Sequence, residues 1–243
     1  MLRSISIMLM VTIIIYLMVI INNIDAASKT NDCDRKKADQ CSLNLIPITN
    51  EEILRKLPKT IGDIDSYCGK INRYEKCMRK YAENCLKKQT KQTLSVIIYS
   101  IGRMNKKYCQ KESKKKLLLN LIQCSGQTAI KYYSDLIQNV SNQMHGIRTY
   151  SDVKLRIPMV CCLYNKISAE AMEYSDKICP KYTNEVDSIL RGYSGDALNL
   201  LCGEYGDDSD KCDSILTKIP DWKGKIEWKS FIMMIAMLVD SLE

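Results

Sequence analysis

The chain has 243 residues, twelve cysteines, a single histidine and a formal charge of +8. That length can bury a core of its own, which excludes a miniprotein held together by disulfides alone. Ten glycines, five prolines and one phenylalanine leave strand and turn signals scarce, while apolar residues recur at helical spacing, so an all-α bundle of about eight to ten helices is expected.

In chain order, Arg3 precedes an apolar run from Ile5 to Ile21 that ends in the small-residue step Ala26-Ala27-Ser28. This is the pattern of a signal peptide over residues 1–26, cut after Ala26. A signal anchor is the alternative, because the run approaches the ~18 residues of a spanning helix. Residues 27–243 then form a single helical domain that is secreted and extracellular. Every cysteine follows this segment: Cys33, Cys41, Cys68, Cys77, Cys85, Cys109, Cys124, Cys161, Cys162, Cys179, Cys202 and Cys212. An even number in an oxidising compartment reads as six disulfides. With no Cys-x-x-Cys and only one histidine, metal ligation is not expected.

A short polar helix over 32–43 carries Cys33 and Cys41. Thr49 with Glu52 reads as a capping box opening a helix through Leu57, stopped by Pro58. From Ile61 to Leu86 the apolar rhythm is clearest, and Cys77 and Cys85 lie eight residues apart on it, about 12 Å along the axis. Cys33 and Cys41 share that spacing. Two antiparallel helices with such ladders can be zipped by Cys33–Cys85 and Cys41–Cys77.

Leu94 to Met104 form the stripe of a further helix ending near Cys109. Around that end Lys106, Lys107, Lys111, Lys114, Lys115 and Lys116 make a basic cluster. It reads either as a site for an anionic glycan or membrane surface or as a solvated face; nucleic acid is not expected outside the cell. Leu117 to Cys124 reads as a short helix and Ile130 to Met144 as another, stopped by Gly146. The latter holds the one sequon, Asn139-Val140-Ser141, with Asn139 about 100° round the helix from the apolar stripe and open to glycosylation.

Ser151-Asp152 can cap the central helix, which Pro158 kinks or starts. The adjacent pair Cys161-Cys162 sits in its most apolar stretch. Neighbouring residues point about 100° apart on a helix, and adjacent Cα atoms are held at about 3.8 Å, closer than a disulfide usually allows. The pair therefore reads as two staples leaving in different directions. Val186 to Leu201 give one more helical face, interrupted by Gly192 and Gly195. The acidic loop Glu204, Asp207, Asp208, Asp210, Asp213 lacks the ligand order of an EF-hand; Asp208 to Asp210 read more simply as the cap of a short helix with Cys212. Phe231 to Val239 are nine apolar residues, too few to span a bilayer, and read as a terminal helix docked on the core.

Catalytic residues are not expected, nor is a cofactor. A Cys-Cys pair on a helix is similar to that of secreted phospholipases A2, but where their catalytic histidine stands this chain has Asn165, and no imidazole means no general base. His145 reads as a solvated helix-end residue. Met and Tyr on the helical faces read first as core and second as lining for a cavity that takes a lipophilic molecule.

Three stretches carry a wider likeness: Arg156-Ile157-Pro158 leading to Cys161-Cys162-Leu163-Tyr164; Gly192-Tyr193-Ser194-Gly195-Asp196 running to Cys202-Gly203-Glu204-Tyr205 and Cys212; and Tyr67-Cys68 with Cys77 and Asn84-Cys85. Together they resemble cysteine-rich secreted proteins of arthropods, similar to the 27 kDa haemolymph glycoproteins of insects. The resemblance implies an extracellular, helical, disulfide-bonded protein and brings no activity to any residue; the apolar C-terminal tail departs from it. The first expectation is thus a non-catalytic extracellular binding protein for a lipophilic ligand or a protein partner. An effector acting on anionic surfaces through the lysine cluster is the second, and a carboxylate-based hydrolase the third.

Overall fold

The computed structural model describes residues 33–203, 205 and 210–242, with the side chains of Ile48 and of residues 195–200 outside that description. The expected signal segment lies outside the described residues, as do Glu204, Asp207 and Asp208 of the acidic loop. Among the described residues there are nine helices and no strand: α1 (Arg35–Leu43), α2 (Glu51–Leu54), α3 (Ile61–Cys85), α4 (Lys88–Gln110), α5 (Glu112–Thr149), α6 (Arg156–Ile178), α7 (Thr183–Cys202), α8 (Lys211–Leu216) and α9 (Phe231–Asp240). The all-α expectation holds.

Local chemistry sets the helix starts. The Asp34 carboxylate accepts the Lys36 and Lys37 N–H groups and opens α1. Thr49 is not a cap: it lies in a 3₁₀ turn, and the Asn50 side chain instead accepts the Glu52 N–H at 3.0 Å, so α2 is a single turn that ends at Leu54. The capping box of this region stands one helix later. Thr60 Oγ1 accepts the Asp63 N–H at 3.2 Å, and the Asp63 carboxylate accepts the Lys59 and Thr60 N–H groups, each at 2.9 Å. These bonds hold the Asp63 carboxyl below the usual carboxylate range, the Lys59 N–H contributing most. Pro158 is the third residue of α6, so it marks the start of the central helix rather than a kink.

Two glycines act differently from the sequence reading, while a third supplies the expected break between the helix that ends near Cys124 and the next. α5 is two helical segments meeting at Gly126, whose φ of 62° and ψ of −164° suit glycine alone, but the second segment does not stop at Gly146 and runs to Thr149. At Gly146 a Cβ would stand 2.3 Å from the Pro220 carbonyl oxygen, so hydrogen is the only substituent that lets residues near 220 cross α5. Gly192 does not interrupt α7. A Cβ there would meet Met104 Sδ at 2.1 Å, and its absence lets α7 close onto α4.

α4 is the axis of the packing. Leu94, Ile97, Ile98, Ile101 and Met104 are buried along one stripe, and α3 and α7 are among its principal neighbours. α6 packs on α5, α7 and α8, with Cys161 and Cys162 in its buried stretch. Ile232 to Val239 of α9 are all buried, against α1, α4 and α5. A helix apolar on every side belongs inside a core, as the terminal run leads one to expect. Polar bonds pin both its ends: Asp39 of α1 accepts the Lys229 and Ser230 N–H groups at 2.9–3.2 Å, and Lys87 Nζ donates to the Asp240 carbonyl at 3.1 Å.

All twelve cysteines are paired. Cys33–Cys85 and Cys41–Cys77 zip α1 to α3, as the matched spacing leads one to expect, and Cys68–Cys109 ties α3 to α4. Cys124–Cys179 ties α5 to the end of α6, while Cys161–Cys202 and Cys162–Cys212 send the adjacent pair to α7 and α8. Sequence separations of 36 to 55 residues correspond to about 4 kcal/mol of chain entropy per bond in the loop-closure treatment. The six bonds fall into two sets, one within residues 33–109 and one within 124–212. None of the six bonds crosses between the halves, which beyond the continuous chain are joined by noncovalent contacts, chiefly α4 on α7 and α9 on the N-terminal half.

Candidate ligand cleft

The seam between the two halves is hollow. A cleft of about 1010 Å³ is walled by residues 44–59, α3 and the end of α4 from the first half, and by α5 and α7 from the second. Three features of the sequence make it. One face of α3, with Asp63, Tyr67, Lys70 and Tyr74 at helical spacing, turns towards it. Gly126 bends α5 at the wall, so that Leu118 and Leu121 before the bend and Ala129 and Tyr133 after it border the same space. The single-turn helix α2 and Pro58 close the third side.

Buried Leu54, Ile64, Leu121, Ala129, Val186 and Ile189 make the floor. Beyond it a second, smaller cavity of about 170 Å³ lies among Val140, Met144, Leu163, Ile167, Phe231 and Ile235. Tyr133, Leu190 and Tyr193 border both spaces and form the wall between them. The larger space alone is at the upper end of what small-molecule sites use.

The polar groups of the wall are mostly committed to one another. Tyr67 Oη donates to the Asn44 carbonyl at 2.9 Å. Tyr193 Oη donates to Asn105 Oδ1 at 3.1 Å, and Asn105 Nδ2 donates to the Leu45 carbonyl at 3.1 Å. Burial pushes the phenols of Tyr67 and Tyr193 far above their usual range and that of Tyr133 up to about 12. Each is therefore a neutral, amphipathic wall element. Tyr108 donates to Glu185, which also accepts from Lys114 Nζ at 2.9 and 3.1 Å. Burial would raise the Glu185 carboxyl, but the bonds from Tyr108 and Lys114 and the charges of Lys114 and Lys107 outweigh it and hold it below the usual range.

The lysine cluster at the α4–α5 turn is divided among neighbours. Lys114 faces Glu185, Lys115 faces Asp65 at 2.5 Å, and Lys116 faces Glu112 at 2.8 Å. Lys107 Nζ donates to Ser188 Oγ at 2.9 Å. Lys106 and Lys111 are exposed. Asn139 is exposed on α5. Asn165 Nδ2 donates to the Tyr205 carbonyl at 2.9 Å and holds the chain after α7. Asp210 and Asp213 are exposed beside α8, and among the described residues no three His, Cys, Asp or Glu side chains gather as metal ligands.

His145 is not solvated; it is 2% exposed. Its Nε2 accepts the Glu227 N–H at 3.0 Å and the Trp228 N–H at 3.4 Å, which leaves the proton on Nδ1 to be donated to the Ser141 carbonyl at 2.8 Å. It is a structural pin for the strand-like approach to α9, a role its position at the end of an apolar stripe conceals.

Sequence reasoning missed the cleft residues Lys56, Lys59, Lys70 and Tyr67. Nothing in their local pattern marks them, because the site exists only where two halves meet. Comparisons with family models, curated proteins and solved structures return no match.

Proposed function

We propose that this is a secreted extracellular binding protein that carries a lipophilic small molecule in the seam cleft and performs no catalysis on it. The observation that carries this reading is the open cleft of about 1010 Å³, apolar at its floor and polar towards solvent, at the junction of two covalently braced halves. A fold this rich in disulfides supports the extracellular part, since such bonds persist in oxidising compartments. No helix among the described residues is long and apolar enough to cross a membrane. The likeness to secreted arthropod proteins and a glycan on exposed Asn139 belong to the same reading.

Against a hydrolase, the carboxylates on the cleft wall are Glu52 and Asp63, and Asp63 is spent on the start of α3. Against a basic-surface effector, three of the six clustered lysines already face carboxylates. The test is displacement of N-phenyl-1-naphthylamine, a neutral dye that brightens in apolar sites. The oxidised protein should bind it with saturation, and Ala129→Trp, which fills the cleft floor, should abolish the signal. Equal dye binding by both would refute the site.

A further inference from the structure

The cleft is not electrically neutral at its opening. Among its wall residues Arg55, Lys56, Lys59 and Lys70 are exposed cations, set against the carboxylates of Glu52 and Asp63. These four side chains are open to solvent, whereas Leu54, Ile64 and Ile189 of the same wall are buried, which sets a charged outer part of the cleft against an apolar inner one. The two acids do not balance the four bases. The Asp63 carboxylate is turned to the backbone N–H groups of Lys59 and Thr60, and Arg55 faces Glu51 at 3.4 Å. Lys56, Lys59 and Lys70 then stand against the Glu52 and Asp63 carboxylates, with the Lys59 charge acting on Asp63, so the exposed wall keeps a net positive charge. Lys70 lies on the α3 face that also carries Tyr67 and Tyr74, while Lys56 and Lys59 lie on either side of Pro58 in the segment before α3.

Resting on the carrier reading, we infer that the cleft takes a single-chain amphiphile with an anionic head, of the fatty-acid class. The alkyl chain lies against the floor with its end towards the smaller cavity, and the carboxylate sits at the rim among Lys56, Lys59 and Lys70. Such a ligand uses every part of the site. Its chain fills space that would otherwise hold water against apolar walls, and affinity rises about fourfold per methylene buried. Its head stays half-solvated, where a charge keeps most of its hydration and gains about a factor of two per exposed ammonium contact. Three such contacts give the carboxylate about a tenfold advantage over a neutral head on the same chain. That advantage should shrink as salt screens the exposed charges.

The experiment compares hexadecanoate, hexadecan-1-ol and hexadecyltrimethylammonium, each below its aggregation threshold, as displacers of the naphthylamine dye from the full-length oxidised protein. The expected order is hexadecanoate about tenfold tighter than the alcohol, with the cation weakest. In the triple variant Lys56→Glu, Lys59→Glu, Lys70→Glu, hexadecanoate should lose its advantage while the alcohol binds as before, which also shows that the variant is folded. Equal affinity for the acid and the alcohol in the unaltered protein overturns the anionic-head inference and leaves the carrier reading standing. Failure of all three to displace the dye overturns both.

Discussion

The joint between the two halves can be tested where α7 comes close to α4, at Gly192 against Met104. A methyl group at Gly192 would stand 2.1, 2.4 and 2.7 Å from Met104 Sδ, Cε and Cγ. Met104 is 5% exposed and has little room to swing away. Overpacking of this kind costs about 1–3 kcal/mol. Alanine in place of glycine in a helix interior, on the other hand, returns about 1 kcal/mol. The net effect of Gly192→Ala is therefore a loss of about 0–2 kcal/mol, too small to interpret by itself. The sign of the same change in a second background decides the matter. With Met104→Ala, itself expected to cost about 2–5 kcal/mol, the clash partner is gone, so Gly192→Ala should now stabilise by up to about 1 kcal/mol. The assay is urea unfolding of the four oxidised proteins of the cycle. A coupling of about 1–3 kcal/mol is expected, in the range measured for residues in contact. If Gly192→Ala has the same sign and size in both backgrounds, α7 is not seated on Met104, and the close seam described above is wrong.

Three further outcomes follow from the same geometry. Cleavage at a protease site engineered between Gln110 and Glu112 should yield two fragments that separate on a denaturing gel without reductant; co-migration would mean that a disulfide joins the halves. His145→Phe puts a somewhat larger ring in the site and removes the acceptor of the Glu227 and Trp228 N–H groups; at about 1–3 kcal/mol for lost partly buried hydrogen bonds it should lower unfolding stability by about 2 kcal/mol, and a change within 0.5 kcal/mol would refute the pin. The Glu185 carboxyl is held below its ordinary 4.5 in the folded protein, so its contribution is complete above pH 4.5 and fades as pH falls through the lower folded value; Glu185→Gln should flatten the acid limb of a stability–pH profile, and unchanged steepness would show that Lys114 and Tyr108 do not hold it there.

Local signals in the sequence were reliable wherever the physics was local. The α1–α3 zipper was legible because two eight-residue cysteine spacings match the rise of a helix. Two staples from Cys161 and Cys162 were legible because adjacent helical side chains diverge. The burial of α9 follows from nine apolar residues with no polar face. Where a short-range rule met a long-range contact, it misled. Gly146 and Gly192 look like helix stops, yet their lack of a Cβ serves a neighbour tens of residues away, Pro220 in one case and Met104 in the other. Thr49 with Glu52 fits the capping pattern as well as Thr60 with Asp63 does, and only the 3₁₀ turn at Pro47 decides between them. The cleft was not legible at all: its wall comes from segments separated by more than a hundred residues, and its lysines are spaced like any solvated face.

The distribution of the disulfides gives the cleft a property that its volume alone does not. Six cross-links of about 4 kcal/mol each restrict the unfolded chain within each half separately, and α4 against α7 is left to apolar packing and the hydrogen bonds of Tyr193, Lys107 and Tyr108. The floor residues Val186 and Ile189 belong to α7, while Tyr108 and Asn105 belong to α4, so the noncovalent joint and the ligand wall are the same surface. A molecule bound there adds apolar contact to both halves at once and must stabilise the joint by its own binding free energy. On the proposed carrier reading, ligand loading and cohesion of the two halves would thereby be coupled. Dye or alkyl-chain binding should raise the unfolding midpoint of Met104→Ala in step with ligand concentration, restoring through the ligand some of the contact that the substitution removed.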